Sequence, residues 1–165
     1  MLIRLIIISF FSFLPFTNVE DNTLKTQLEN LILPEGFKIQ LYASDVENAR
    51  SMAISPSGTI FVGNRRSDNV FALKDTDGDN IVDKKYLITE KLKNMPNGVA
   101  YYKGDLYVAE VNKIWVFRDI EANLDYIDKF GDYPNEPELI SDDYPSDRHH
   151  GWKYISIPII YKIIN

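Results

Sequence analysis

The 165-residue chain sets 18 Lys and Arg against 24 Asp and Glu, a net charge of −6, with 45% hydrophobic and 25% charged residues. This is the balance of one ordinary globular domain, and the negative charge argues against nucleic acid and anionic membrane surfaces as partners. The absence of cysteine excludes disulfides, thiolate metal sites and cysteine nucleophiles.

The chain opens on Met1-Leu-Ile-Arg4, followed by an apolar, serine-containing run from Leu5 to Phe16. Such a run is too short for a membrane-spanning helix, which needs about 20 residues. It fits a secretory signal over residues 1–18, although no small-x-small cleavage pair follows it. A periplasmic or secreted protein with no membrane span is therefore expected. Residues 19–36 read as a linker with a short helix, since Leu24, Leu28, Leu31 and Ile32 fall at helical spacing. Phe37 to Tyr42 alternates apolar and polar, the pattern of a half-buried strand.

A repeat then begins. Ser51-Met-Ala-Ile-Ser-Pro-Ser-Gly-Thr-Ile-Phe-Val-Gly63 is echoed by Asn97-Gly-Val-Ala-Tyr-Tyr-Lys-Gly-Asp-Leu-Tyr-Val-Ala109, and Gly58 and Gly104 are 46 residues apart. The first copy predicts strands over 51–55, 59–63, 70–73 and 85–89, and the second over 98–102, 106–109 and 113–117. A period of about 40–50 residues built from short antiparallel strands is the signature of β-propeller blades. The fold class is thus all-β, a partial propeller over 37–157 with blades near 50–90 and 96–118. Asp119 to Asp147 holds ten acidic residues against one base, Lys129, with three prolines. It reads as a long surface connection with at most one edge strand. A third copy starts near residue 149 with a strand at Lys153–Ile157, and residues 158–165 depart from the pattern. A closed propeller has about four to eight blades, so this one is incomplete. Its open strand edges invite pairing with another chain.

Two constellations carry chemistry. Ser146-Asp-Arg-His-His-Gly-Trp-Lys153 gathers both histidines, two cations and an indole in eight residues. Histidine is the side chain suited to proton transfer near neutral pH. Arg50 and Asn97 precede the first strands of the two earlier copies, so in a propeller they converge with Arg148, His149, His150 and Lys153 at one mouth. The alternative is a polar loop whose histidines bond locally. The second constellation is Asp75-Thr-Asp-Gly-Asp-Asn-Ile-Val-Asp83. Asp75, Asp77, Asp79 and Asp83 have the spacing of an oxygen-only calcium loop. It lacks the final bidentate glutamate and flanking helices of an EF-hand, which leaves a weak calcium site or a plain Asp/Gly-rich turn.

Leu33-Pro-Glu-Gly-Phe-Lys-Ile39, Asn48-Ala-Arg-Ser-Met-Ala53, Asn94-Met-Pro-Asn-Gly-Val-Ala100, Leu106-Tyr-Val-Ala-Glu110 and Asp143-Tyr-Pro-Ser-Asp-Arg-His-His-Gly-Trp-Lys153 resemble the glucose/sorbosone dehydrogenase family, its L-sorbosone dehydrogenase-like branch in particular. The resemblance spans roughly residues 31–157. It implies a six-bladed propeller and a pyrroloquinoline quinone (PQQ)-dependent oxidoreductase acting on a sugar or sugar-derived aldehyde. It implies His149 as the base that takes the hydroxyl proton, with His150 the lesser candidate, and Arg50, Asn97, Arg148 and Lys153 as pocket residues. Lys153 stands where relatives often carry arginine. The quinone's basic partners and its calcium ligands belong to later blades, so the Asp75–Asp83 loop is not that calcium site. The resemblance therefore implies a truncated chain, inactive alone. The alternative is a non-catalytic propeller fragment that pairs through its open edges.

Overall fold

The structure, a computed structural model, describes residues 26–149 and 151–157. The signal segment, His150 and the divergent end over 158–165 lie outside the described residues. The chain divides into two units, Met1–Leu41 and Tyr42–Asn165.

In the first unit, residues 26–29 are helical and Asn30 ends the turn, its backbone N–H reaching Gln27 O at 3.3 Å. The strand expected over Phe37–Tyr42 is not formed: residues 37–43 carry no strand assignment, and Phe37 and Ile39 are exposed. Alternation makes a segment fit to be a strand, but a strand exists only where a neighbouring edge supplies ladder partners.

The second unit is mostly β. Strands β1 (Ala49–Ile54), β2 (Ile60–Asn64), β3 (Val70–Lys74) and β4 (Lys84–Thr89) form one antiparallel meander. Strands β5 (Gly98–Tyr102), β6 (Asp105–Ala109), β7 (Ile114–Phe117) and β8 (Glu138–Ser141) form a second. Neither sheet closes on itself. Registers such as Phe61 opposite Ala72 and Ala72 opposite Tyr86 set one face of the first sheet against the second. Phe61, Val70, Ala72, Tyr86 and Ile88 meet Val99, Leu106, Val108 and Phe117 in a single core. Phe61 stacks on Tyr101 with ring centroids 5.5 Å apart. Each fully buried Val, Leu, Ile or Phe among them contributes roughly 1.5–3 kcal/mol.

The second meander runs further than its expected end near residue 118, because its fourth strand is β8. The acidic stretch supplies that edge strand and, in place of a plain surface connection, forms a 3-10 turn (Ile120–Asn123) and a helix, α1 (Leu124–Phe130). Ile120, Leu124 and Ile127 are buried at helical spacing, and α1 lies against β4. A few apolar residues among many acids are enough to pin a helix when they face a core. Residues 151–157 are not laddered, so the third expected strand is not formed either.

Glu121 fastens the two sheets at the end holding the β1–β2 turn. One carboxylate oxygen accepts from Ser55 Oγ (2.9 Å), Thr59 Oγ1 (2.8 Å) and Ser57 Oγ, and the other from Tyr101 OH at 2.8 Å. Burial works to raise its pKa, but these hydroxyls outweigh it and hold the carboxyl below its ordinary range.

Candidate functional site

The opposite end of the sheets is built where the chain leads into β5. Met95 takes a left-handed φ of 56°, and the N–H of Asn97 turns back to Met95 O at 2.8 Å. Pro96 O accepts from Asn64 N at 2.9 Å, which joins the end of β2 to the start of β5. The join needs glycine at 63, because a Cβ there would stand 2.2 Å from Asn97 O.

Asn97 is buried, at 2% exposure, and its Nδ2 donates to Lys153 O at 2.9 Å. Its Oδ1 is buried with no partner among the described residues. The Arg65 guanidinium lies 4.3 Å above the Trp152 ring. Trp152 and Lys153 thus reach both the β2–β3 loop and the start of β5. Lys153 Nζ donates to Gly151 O at 3.0 Å and stands 5.7 Å over the Tyr144 ring. Arg148 Nε donates to Asn94 Oδ1 at 3.2 Å, and His149 is exposed on the following turn. Of the residues expected at the mouth, Asn97 and Lys153 meet directly. Arg50 is exposed on β1 and makes none of these contacts.

Several residues of this end carry no role in the sequence reading. Arg65 is one. Another is Glu110, which is 4% exposed and accepts from Asn94 N and Trp115 Nε1, each at 2.7 Å. Glu110 lies inside the Leu106–Glu110 motif, yet nothing local tells a buried carboxylate from a solvated one at a strand end. Its donors are 16 and 5 residues away.

The Asp75–Asp83 loop joins β3 to β4. Asp75, Asp77 and Asp83 bring carboxylate oxygens within 4.8 Å of one another, while Asp79 stands outside this group. Hard oxygen ligands at this spacing suit calcium. The same carboxylates also cap the loop's own backbone. Asp75 accepts from Asp77, Gly78 and Asn80 N–H, and Asp83 from the Thr76 amide and hydroxyl. The Gly78 amide foremost holds the Asp75 pKa down, and the Thr76 hydroxyl foremost that of Asp83. Asn80 takes the left-handed turn conformation at φ 66°. Both the calcium loop and the plain turn are consistent with this geometry. Among the described residues no helix is long and apolar enough to cross a membrane.

Comparison with known proteins gives two matches. The profile of the family described as "Domain of unknown function (DUF7133)" matches residues 23–125. An uncharacterized protein of Borreliella burgdorferi is 27% identical over 95 residues, which are 57% of this chain and 23% of that protein. The chain therefore spans less than a quarter of the relative it matches.

Proposed function

This chain belongs to the DUF7133 family, a domain of unknown function, and from that premise we propose that it is two blades and the lead into a third of a quinoprotein-type β-propeller. Its class is oxidoreductase, PQQ-dependent, with a sugar or sugar-derived aldehyde as substrate, as in the glucose/sorbosone dehydrogenases its motifs resemble. The protein works in the periplasm or outside the cell.

One observation supports this reading above the others. Consecutive four-stranded meanders sit with β1 and β2 against β5, and the residues leading into the next segment reach both of them, through Asn97 to Lys153 and Arg65 to Trp152. Successive blades of a propeller bring their first strands together in this way. In this reading His149 accepts the substrate hydroxyl proton, the role open to an exposed imidazole at such a mouth. Asn97, buried, keeps the third segment in place.

The described residues do not fit the quinone as a complete cradle. PQQ is a tricarboxylate, and the cations near His149 already have partners: Arg65 on Trp152, Arg148 on Asn94, Lys153 on Gly151 O. In this reading the quinone's charge partners come from further blades of the propeller. The purified chain with PQQ, calcium, a reducible dye and an aldose or sugar-derived aldehyde provides the test. Substrate-dependent dye reduction that stops in His149→Ala, or when PQQ is withheld, supports the reading. A rate equal to the protein-free blank removes catalysis from this chain.

A second reading is a non-catalytic sheet module that pairs with another chain. It is favoured by β1, an edge strand on which Met52 and Ile54 are each 66% exposed. Sedimentation tests its self-pairing form: a folded monomer at all concentrations excludes pairing of two copies through that edge.

A further inference from the structure

Resting on the reading of His149 as a base, we propose that buried Glu110 is the positioning residue of the His149 turn. It acts along two routes that share the β6–β7 loop. The first runs through Asn94. Glu110 accepts the Asn94 backbone N–H at 2.7 Å, and Asn94 O in turn accepts from Val111 N at 3.0 Å. The Asn94 side chain is aligned by its Nδ2 donating to Asn112 Oδ1 at 2.8 Å. That alignment leaves Asn94 Oδ1 to receive Arg148 Nε at 3.2 Å, and Arg148 immediately precedes His149.

The second route runs through Val111, fully buried and next to Glu110. The turn carrying His149 closes with Gly151 N–H on Arg148 O at 3.2 Å. Gly151 is packed so tightly that a Cβ would stand 1.8 Å from Asp147 O and 2.9 Å from Val111 Cγ1. Both ends of the turn, Arg148 and Gly151, therefore rest on residues that Glu110 organises. The other carboxylate oxygen is fixed by Trp115 Nε1, so the acid is clamped between β7 and the lead into β5. A carboxylate accepts at both oxygens, whereas glutamine in the same pose replaces one of them with an NH2 group that faces one of the two N–H donors. A rigid mount of this kind is what a proton-accepting imidazole requires, since small displacements of the base are costly to proton transfer.

The test is nuclear magnetic resonance of the whole chain, whose only histidines are His149 and His150. In Glu110→Gln the Trp115 indole N–H signal moves, showing that the clamp has been altered. With it, Gly151 amide exchange accelerates by about tenfold or more, the mark of local opening, and the His149 ring signals average. In Arg148→Ala the His149 signals average while the Trp115 signal stays. Unchanged Gly151 exchange and His149 signals in both variants overturn the proposal. Should Glu110→Gln fail to fold, Trp115→Phe, which releases the second carboxylate oxygen of Glu110, decides: unchanged Gly151 exchange and His149 signals overturn the proposal, and faster Gly151 exchange with averaged His149 signals sustains it. Failure of the catalytic reading is seen separately, as turnover unaffected by His149→Gln.

Discussion

The two ends of the paired sheets use a carboxylate in opposite ways. At the β1–β2 turn, Glu121 accepts from four hydroxyls and joins the sheets directly. At the other end, Glu110 organises a loop whose outermost groups, Arg148 and His149, are exposed, and Asn97 Oδ1 is left buried without a described partner. A fully satisfied end carries stability. An end with an exposed imidazole and an exposed guanidinium beside it has polar groups that solvent can reach.

The sharpest way to break this contrast is at the join between the sheets, where β2 ends and β5 begins. Gly63→Ala puts a Cβ into the Asn97 backbone. It is expected to cost more than about 4 kcal/mol in urea unfolding, the range of severe core strain; a loss below about 1 kcal/mol would show that the join yields. Next comes Glu121→Ala, which removes the shared acceptor of the Ser55, Ser57, Thr59 and Tyr101 hydroxyls and should lower stability by about 1–3 kcal/mol. The equivalent loss in His149→Ala, at an exposed position, should stay within about 0.5 kcal/mol. If the two losses are alike, the division into a stabilising and a functional end does not hold.

Acid sharpens the same comparison. The Glu121 pKa is held below its ordinary value in the folded state. Its contribution is therefore present above the unfolded carboxyl value, about 4.3, and is lost as pH falls through the lower folded value. Asp45, Asp75 and Asp83 are lowered too and act in the same direction. Glu121→Gln should remove only its own share, flattening the acid limb of stability without abolishing it; an unchanged limb would detach Glu121 from it. The smallest effect is expected at the Asp75–Asp83 loop. A rise in Tm with millimolar calcium that disappears in Asp75→Asn marks ligation, and a Tm that calcium leaves in place marks a plain turn.

Seven of the eight strands were legible because each is short, apolar or alternating, and bounded by Pro, Gly or Asp. β8 was foreseen only as an unplaced edge strand, since Glu138-Leu-Ile-Ser141 has no pattern of its own and becomes a strand by pairing with β7. α1 is not expected from the sequence because Leu124 and Ile127, which pin it, are set in a long stretch dominated by acids and interrupted by proline. The segment over 37–42 differs in the other direction, with the alternating pattern present and no strand formed.

What the sequence alone determined about this protein is local and periodic: the repeat, the turns, the strand positions, and the residue types concentrated in the Ser146–Lys153 cluster and the Asp75–Asp83 loop. These follow from backbone preference and alternation, which act over a few residues. Only the tertiary structure decided which polar groups meet. Glu121 finds hydroxyls 20 to 66 residues away, and Asn97 finds Lys153 at a separation of 56. Such pairings depend on how the sheets pack, because burial leaves a polar group no alternative to the partner that packing brings to it.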